Sequence, residues 1–216
     1  MNRLIRAMPI QRASYKSRRT IPKRMRDMRD PMFDMLECDP KQETFTVVEV
    51  GTQWGWWAYR AAKQLPENVV IHSVDPWSED EESSNHWGNG RTNLQDWAKN
   101  VEPWLGKRVF GWRGTSKEIA PEFKNESIDF IFIDGDHRAE ALLLDLQLWF
   151  PKVKPGSLII GHDWRGKWAR EVRTAVRLFF PKEAQEKLTV DGLHAAPIYL
   201  SERGRGVSVC WWVRKR

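Results

Sequence analysis

Runs in which almost every position is apolar recur along the chain: FTVVEV (45–50), VVIHSVD (69–75), RVFGW (108–112), IDFIFID (128–134) and SLIIGHD (157–163). Strands that are apolar at consecutive positions, rather than at alternate ones, are strands covered on both faces. Between them lie stretches with apolar residues at helical spacing: WWAYRAAKQL (56–65), a segment from about Thr92 to Val101, SKEIAPEF (116–123), AEALLLDLQLWF (139–150) and AREVRTAVRLFF (169–180). Ser116 is expected to cap the third of these. A shorter amphipathic stretch surrounds MFDML (32–36), and the tail offers two further strands, APIYL (196–200) and GVSVCWWV (206–213), with no good helix between them. Strand and helix in alternation predict an α/β fold, a mostly parallel sheet with helices on both faces, closed by an antiparallel hairpin at one edge.

Length adds one constraint, because 216 residues suit a single domain with a full core. Charge adds another. Residues 1–26 carry nine Lys or Arg and no acid, so the +6 net charge belongs to an N-terminal arm and the rest is slightly acidic. We read residues 1–30 as the basic arm and 31–216 as the domain. Such an arm attracts a nucleic acid or an acidic partner by long-range electrostatics, or is simply solvated. It also resembles an organelle transit segment, although Pro9 and Pro22 interrupt any long amphipathic helix. No apolar run reaches the ~20 residues that cross a bilayer. Cys38 and Cys210 have no paired spacing, which fits a reducing, cytoplasmic setting.

Candidate chemistry gathers where the predicted strands end. In open parallel sheets ligands bind beyond the carboxyl ends of the strands, where strand order reverses. Read at those ends, the chain presents Glu49 and Gly51, then Asp75, then Asp134 to His137, then His162 and Asp163. The turn VEVGTQWG has Gly51 and Gly55 with three residues between them and lacks the spacing of the dinucleotide fingerprint. Asp75, about 20 residues beyond that turn, is suited to accept the hydroxyls of a ribose. Asp134, His162 and Asp163 form a donor set for a divalent cation, and His137 is a candidate general base on a hydroxyl beside it. Asp136 precedes the helix starting near Ala139 and reads equally as its cap.

These motifs resemble class I S-adenosylmethionine-dependent methyltransferases, and within them the branch of macrolide-sugar and aminocoumarin-sugar O-methyltransferases. The likeness runs over about residues 45–180 and rests on VVEVGTQWG, SVDPW, IDFIFIDGDH and KPGSLIIGHDW followed by VRTAVRLFF. It implies a Rossmann-like, doubly wound, seven-stranded sheet with a C-terminal hairpin. It implies that Glu49, Gly51, Thr52 and Gly55 line the methionine and ribose end of S-adenosylmethionine, with Asp75, Pro76 and Trp77 around the ribose and Asp134 reaching both cofactor and metal. Asp134, His162 and Asp163 fall on the branch's metal positions, His137 on its general base, and Asp136 is a second candidate for that base. The implied acceptor is a hydroxyl on a small molecule or glycan, and the implied cation is Mg2+ or Mn2+.

The chain departs from that pattern. Gln53 stands where a glycine is usual, Trp54, Trp56 and Trp57 crowd the turn, and His162–Asp163 replaces two adjacent acids. The acidic loop SEDEESSNHWGNGR (78–91) is expected to act as a lid, with Trp77, Trp87 and His86 as stacking surfaces. Two other readings compete with the O-methyltransferase: a nucleic-acid methyltransferase held by the basic arm, and a non-catalytic binding or structural protein on the same fold.

Overall fold

The computed structural model describes residues 3–6, 31–77, 94–181, 194–200 and 207–215. The strands are β1 (Leu4–Ile5), β2 (Phe45–Val50), β3 (Val69–Asp75), β4 (Val109–Arg113), β5 (Ile128–Ile133), β6 (Val153–Gly161), β7 (His194–Leu200) and β8 (Val207–Arg214). The helices are α1 (Trp56–Gln64), α2 (Leu94–Asn100), α3 (Ser116–Ile119), α4 (Ala139–Trp149) and α5 (Ala169–Phe179). Short 3-10 turns occupy Pro31–Met35, Ala120–Glu122 and Phe150–Lys152.

Among the described residues one sheet holds every strand, in the order β1-β4-β3-β2-β5-β6-β8-β7. Strands β4, β3, β2, β5 and β6 run parallel, and β8 and β7 complete the sheet antiparallel. The expected doubly wound sheet and closing hairpin are therefore present. An eighth strand has no counterpart in the sequence pattern. Leu4 and Ile5 pair antiparallel with Trp112 and Gly111, so the start of the basic arm covers the β4 edge. Arg3 anchors it through an ion pair with Glu118 at 2.8 Å.

The apolar runs divide their side chains between two cores. Val47, Ile71, Phe130, Phe132 and Ile160 face α1, α2 and the turn at Pro31–Met35. Val48, Val74, Ile131, Ile133 and Ile159 face α3, α4 and α5. Each strand is apolar at successive positions because each face has its own helical layer to bury against.

Helix α3 is capped by Thr115 rather than by Ser116: the Thr115 N–H donates to Glu118 Oε2 at 2.9 Å, while the Ser116 hydroxyl accepts the Trp149 indole N–H. Among the described residues no helix is long and apolar enough to cross a membrane. The expected lid, including His86 and Trp87, and residues 7–30 of the arm lie outside the described residues.

Candidate active site

Strand order reverses between β2 and β5, and there the two turns that follow these strands touch. The Gly51 N–H donates to Val74 O and the Asp134 N–H donates to Val50 O, both at 2.8 Å. Gly51 has φ 84°, and a Cβ there would strike the Asp134 carbonyl and lie 2.5 Å from Gly135 Cα. Only glycine permits both the left-handed backbone and the contact. Gly55, at φ 81°, begins α1, and its missing side chain is replaced by the Trp97 ring, whose Cδ1 would be 2.8 Å from a Cβ.

Beside this turn, Asp75 is buried and braced by backbone donors: Gln53 N–H reaches Oδ2 at 2.9 Å and Trp77 N–H reaches Oδ1 at 2.7 Å. Burial pushes its carboxyl up to about 6 despite these bonds. Trp77 contributes its backbone and its indole N–H, which donates to Gln53 O at 2.8 Å. Its ring is buried against Trp97 at a centroid distance of 5.1 Å, so the expected stacking surface is instead part of the core. Pro76 is exposed between them. Glu49 is buried too, and both Thr52 Oγ1 (2.6 Å) and Ser73 Oγ (3.1 Å) donate to its Oε2. Burial outweighs these bonds and pushes Glu49 up to about 8.

Asp134, His137, His162 and Asp163 converge, with one donor atom from each lying within 4.8 Å of the others. His137 Nε2 is 3.2 Å from Asp134 Oδ1 and 2.5 Å from Asp163 Oδ2. His162 Nδ1 is 3.4 Å from Asp134 Oδ1 and 3.1 Å from Asp163 Oδ2. Asp163 adopts the left-handed region at φ 54°, a conformation uncommon outside glycine that recurs at functional sites.

Burial lowers both imidazoles, but the two carboxylates outweigh it, raising His137 to about 10 and His162 to about 9. Asp163, although burial opposes ionisation, is held well below the usual carboxylate range by the two imidazoles. Two imidazole nitrogens facing two carboxylate oxygens at this spacing are a donor set that a divalent cation accepts, and a cation there would take the place of the protons that the imidazoles otherwise hold, so the donor chemistry fits a cation.

The structure thus brings the side chains of Asp134, His162 and Asp163 together, with His137 among them. Asp136 is directed elsewhere: Oδ1 accepts the Arg138 N–H at 3.0 Å and Oδ2 accepts Arg138 Nε–H at 2.8 Å. Sequence reasoning missed Trp168, whose ring lies 6.2 Å from that of His137 with planes 25° apart. It also missed Asp145, a half-buried α4 acid whose carboxyl is raised to about 7 by loss of solvent and which lies close to Gly135. Neither had a local signal, since a Trp in a loop and an Asp in an apolar helix acquire meaning only from their neighbours.

Residues 48–164 match the family described as a methyltransferase domain. A curated relative, the uncharacterized protein y4gI of Sinorhizobium fredii (strain NBRC 101917 / NGR234), is 24% identical over 120 residues, spanning 54% of this chain and 13% of that protein. Among solved structures, the O-methyltransferase from Bacillus cereus in complex with SAH is similar with a TM-score of 0.56 and 18% identity, covering 95% of this chain and 87% of that one. TomG, an O-methyltransferase from Streptomyces achromogenes in complex with SAM, is similar with a TM-score of 0.53 and 13% identity over 81% of this chain and 74% of that one. At such identities these likenesses speak for the fold.

Proposed function

We propose that this chain, which belongs to the methyltransferase-domain family, is an S-adenosylmethionine-dependent O-methyltransferase acting on a hydroxylated small molecule or glycan with help from a divalent cation. The observation that carries this reading is the convergence of Asp134, His162 and Asp163 at the strand ends where the Gly51 turn and Asp75 also lie.

When bound, the sulfonium cofactor supplies an activated methyl group: the acceptor oxygen forms the new C–O bond as the S–C bond breaks, and the hydroxyl proton passes to a base. The chain's part is orientation and proton removal. Asp75 would offer the ribose the acceptor capacity that the backbone N–H groups of Thr52, Gln53 and Trp77 leave on its carboxylate. Glu49, Gly51, Thr52 and Gly55 shape the methionine side, and Pro76 and Trp77 complete the ribose turn. Asp134, His162 and Asp163 would hold a cation, Mg2+ or Mn2+, which would supply Lewis-acid polarisation of a nearby hydroxyl. His137 is the first candidate for accepting the proton, and Asp136, the second, would do so only on leaving its contacts with Arg138. The SAM-bound and SAH-bound neighbours support the cofactor, and Cys38 and Cys210, which share no disulfide, fit a cytoplasmic setting.

The test is calorimetry with S-adenosylmethionine, followed by transfer of labelled methyl to a panel of vicinal diols and glycans. Asp163→Ala should abolish turnover and leave cofactor binding nearly intact. Full activity in excess chelator sinks the role of the cation, and absence of cofactor binding sinks the whole reading.

A further inference from the structure

We infer that His137 is a fourth cation ligand rather than a free base, and that the resulting set selects a borderline transition ion, such as Mn2+, Fe2+, Co2+ or Zn2+, over Mg2+. The inference rests on the proposed function only in taking a cation to bind at this cluster. Followed around, the donor atoms alternate between oxygen and nitrogen: Asp134 Oδ1 to His137 Nε2 is 3.2 Å, on to Asp163 Oδ2 is 2.5 Å, on to His162 Nδ1 is 3.1 Å, and back to Asp134 is 3.4 Å. Adjacent ligands of a small divalent ion, at bonds of about 2.1 Å, stand roughly 3.0 Å apart at right angles and roughly 3.4 Å apart at tetrahedral angles. The sides of the ring average close to those separations, and its diagonals stay within 4.8 Å.

A three-ligand reading has to leave His137 out, and the geometry gives no ground for that. Its Nε2 lies nearer to each carboxylate than does His162 Nδ1, and so holds the stronger claim to the space between them. His137 is also the most buried of the group, 9% exposed against 24–32% for the rest, and its ring lies against Trp168. An ion that contacts both carboxylates therefore meets an imidazole that has little room to swing aside.

The ion class follows from the donors. Mg2+ prefers oxygen ligands and keeps its waters, whereas imidazole nitrogen suits the later first-row ions, with affinity rising from Mn2+ through Fe2+ to Co2+. With His137 engaged and both Asp136 oxygens held by Arg138, the hydroxyl proton is lost to water unless Asp136 leaves that pair.

The experiment uses the full chain after chelator treatment. Calorimetric titration with Co2+, Mn2+ and Mg2+ should give Co2+ affinity at least about 100-fold above that of Mg2+. Pulsed EPR of the Mn2+ form should show nitrogen couplings from two imidazoles, with His137→Ala and His162→Ala each removing one. The wild-type spectrum decides the ligand count even if a variant fails to fold, and His137→Gln offers a milder change. A single imidazole coupling that survives in His137→Ala overturns the inference and leaves His137 as base, with the proposed function intact. Equal affinity for Mg2+ and Co2+ overturns the ion selection. No binding of any ion overturns the inference together with the cation's role, and cofactor calorimetry then shows separately whether the methyltransferase reading stands.

Discussion

Gly51→Ala adds one methyl where the turns after β2 and β5 meet, and the structure sets its cost. The backbone there is left-handed at φ 84°, which costs an L-residue about 1–2 kcal/mol. The new carbon would also lie 2.5 Å from Gly135 Cα and 2.6 Å from Asp134 C, and still nearer the Asp134 carbonyl oxygen. All three are main-chain atoms, so relief requires moving the turn, and overpacking of this kind costs about 1–3 kcal/mol. Together these predict a loss of about 2–5 kcal/mol from a typical total of about 5–15 kcal/mol. Gly156→Ala isolates the first contribution, because Gly156 has φ 82° and the place its Cβ would take has nothing within 4 Å. Chemical denaturation of both variants should place Gly51→Ala below Gly156→Ala by the packing contribution alone. The displaced atoms carry Asp134, so calorimetry should also show weaker cation binding for Gly51→Ala and none of that weakening for Gly156→Ala. Equal stability of the two variants, or an unchanged cation affinity in Gly51→Ala, would refute the contact between the glycine turn and the cluster.

Glu49→Gln should change how stability depends on pH. A carboxyl raised from 4.5 to about 8 by burial contributes stability that is fully present below the unfolded value and is lost as pH rises toward 8, because the folded chain holds a proton that the unfolded chain has released. The difference between wild-type and Glu49→Gln unfolding free energies should therefore shift by about 4 kcal/mol across pH 4.5 to 8, and a flat difference curve would remove the buried protonated acid. Asp75→Asn should weaken S-adenosylmethionine binding by about 10- to 100-fold in calorimetry, the worth of a charge-assisted hydrogen bond to a ribose hydroxyl. Unchanged affinity would remove Asp75 from the ribose site. Arg3→Ala should leave the denaturation midpoint nearly unchanged, since its ion pair is 40% and 43% exposed. Deleting residues 1–6 uncovers the β4 edge and should promote self-association in light scattering, whereas a monodisperse truncated chain would show that β1 does not protect that edge.

What was legible in the sequence follows from what each feature depends on. The parallel strands were readable because a strand covered on both faces is apolar at successive positions, and the rim acids because they interrupt those runs at one end. β1 was not readable: Leu4 and Ile5 form no run, and their strand exists through backbone pairing with Trp112 and Gly111 and through the reach of Arg3 to Glu118. His137 as an equal member of the ring was equally hidden, since it depends on the turn from Asp134 to His137 and on the left-handed backbone of Asp163.

Gln53 shows how a departure from family pattern acquires a physical meaning. Its φ of 49° lies in the left-handed region, which explains why a glycine is usual at that position. A glutamine there carries a cost of about 1 kcal/mol or more, and neighbouring bonds offset it. Its N–H is held by Asp75, and its carbonyl accepts the Trp77 indole N–H at 2.8 Å. Trp77 is itself left-handed at φ 41° and returns its own N–H to Asp75. The strained pair and the buried acid thus form one closed unit, in which Asp75 is fixed before any ligand arrives. The tryptophan that sequence alone offers as a stacking surface is used instead to hold the glycine-substituted turn in place.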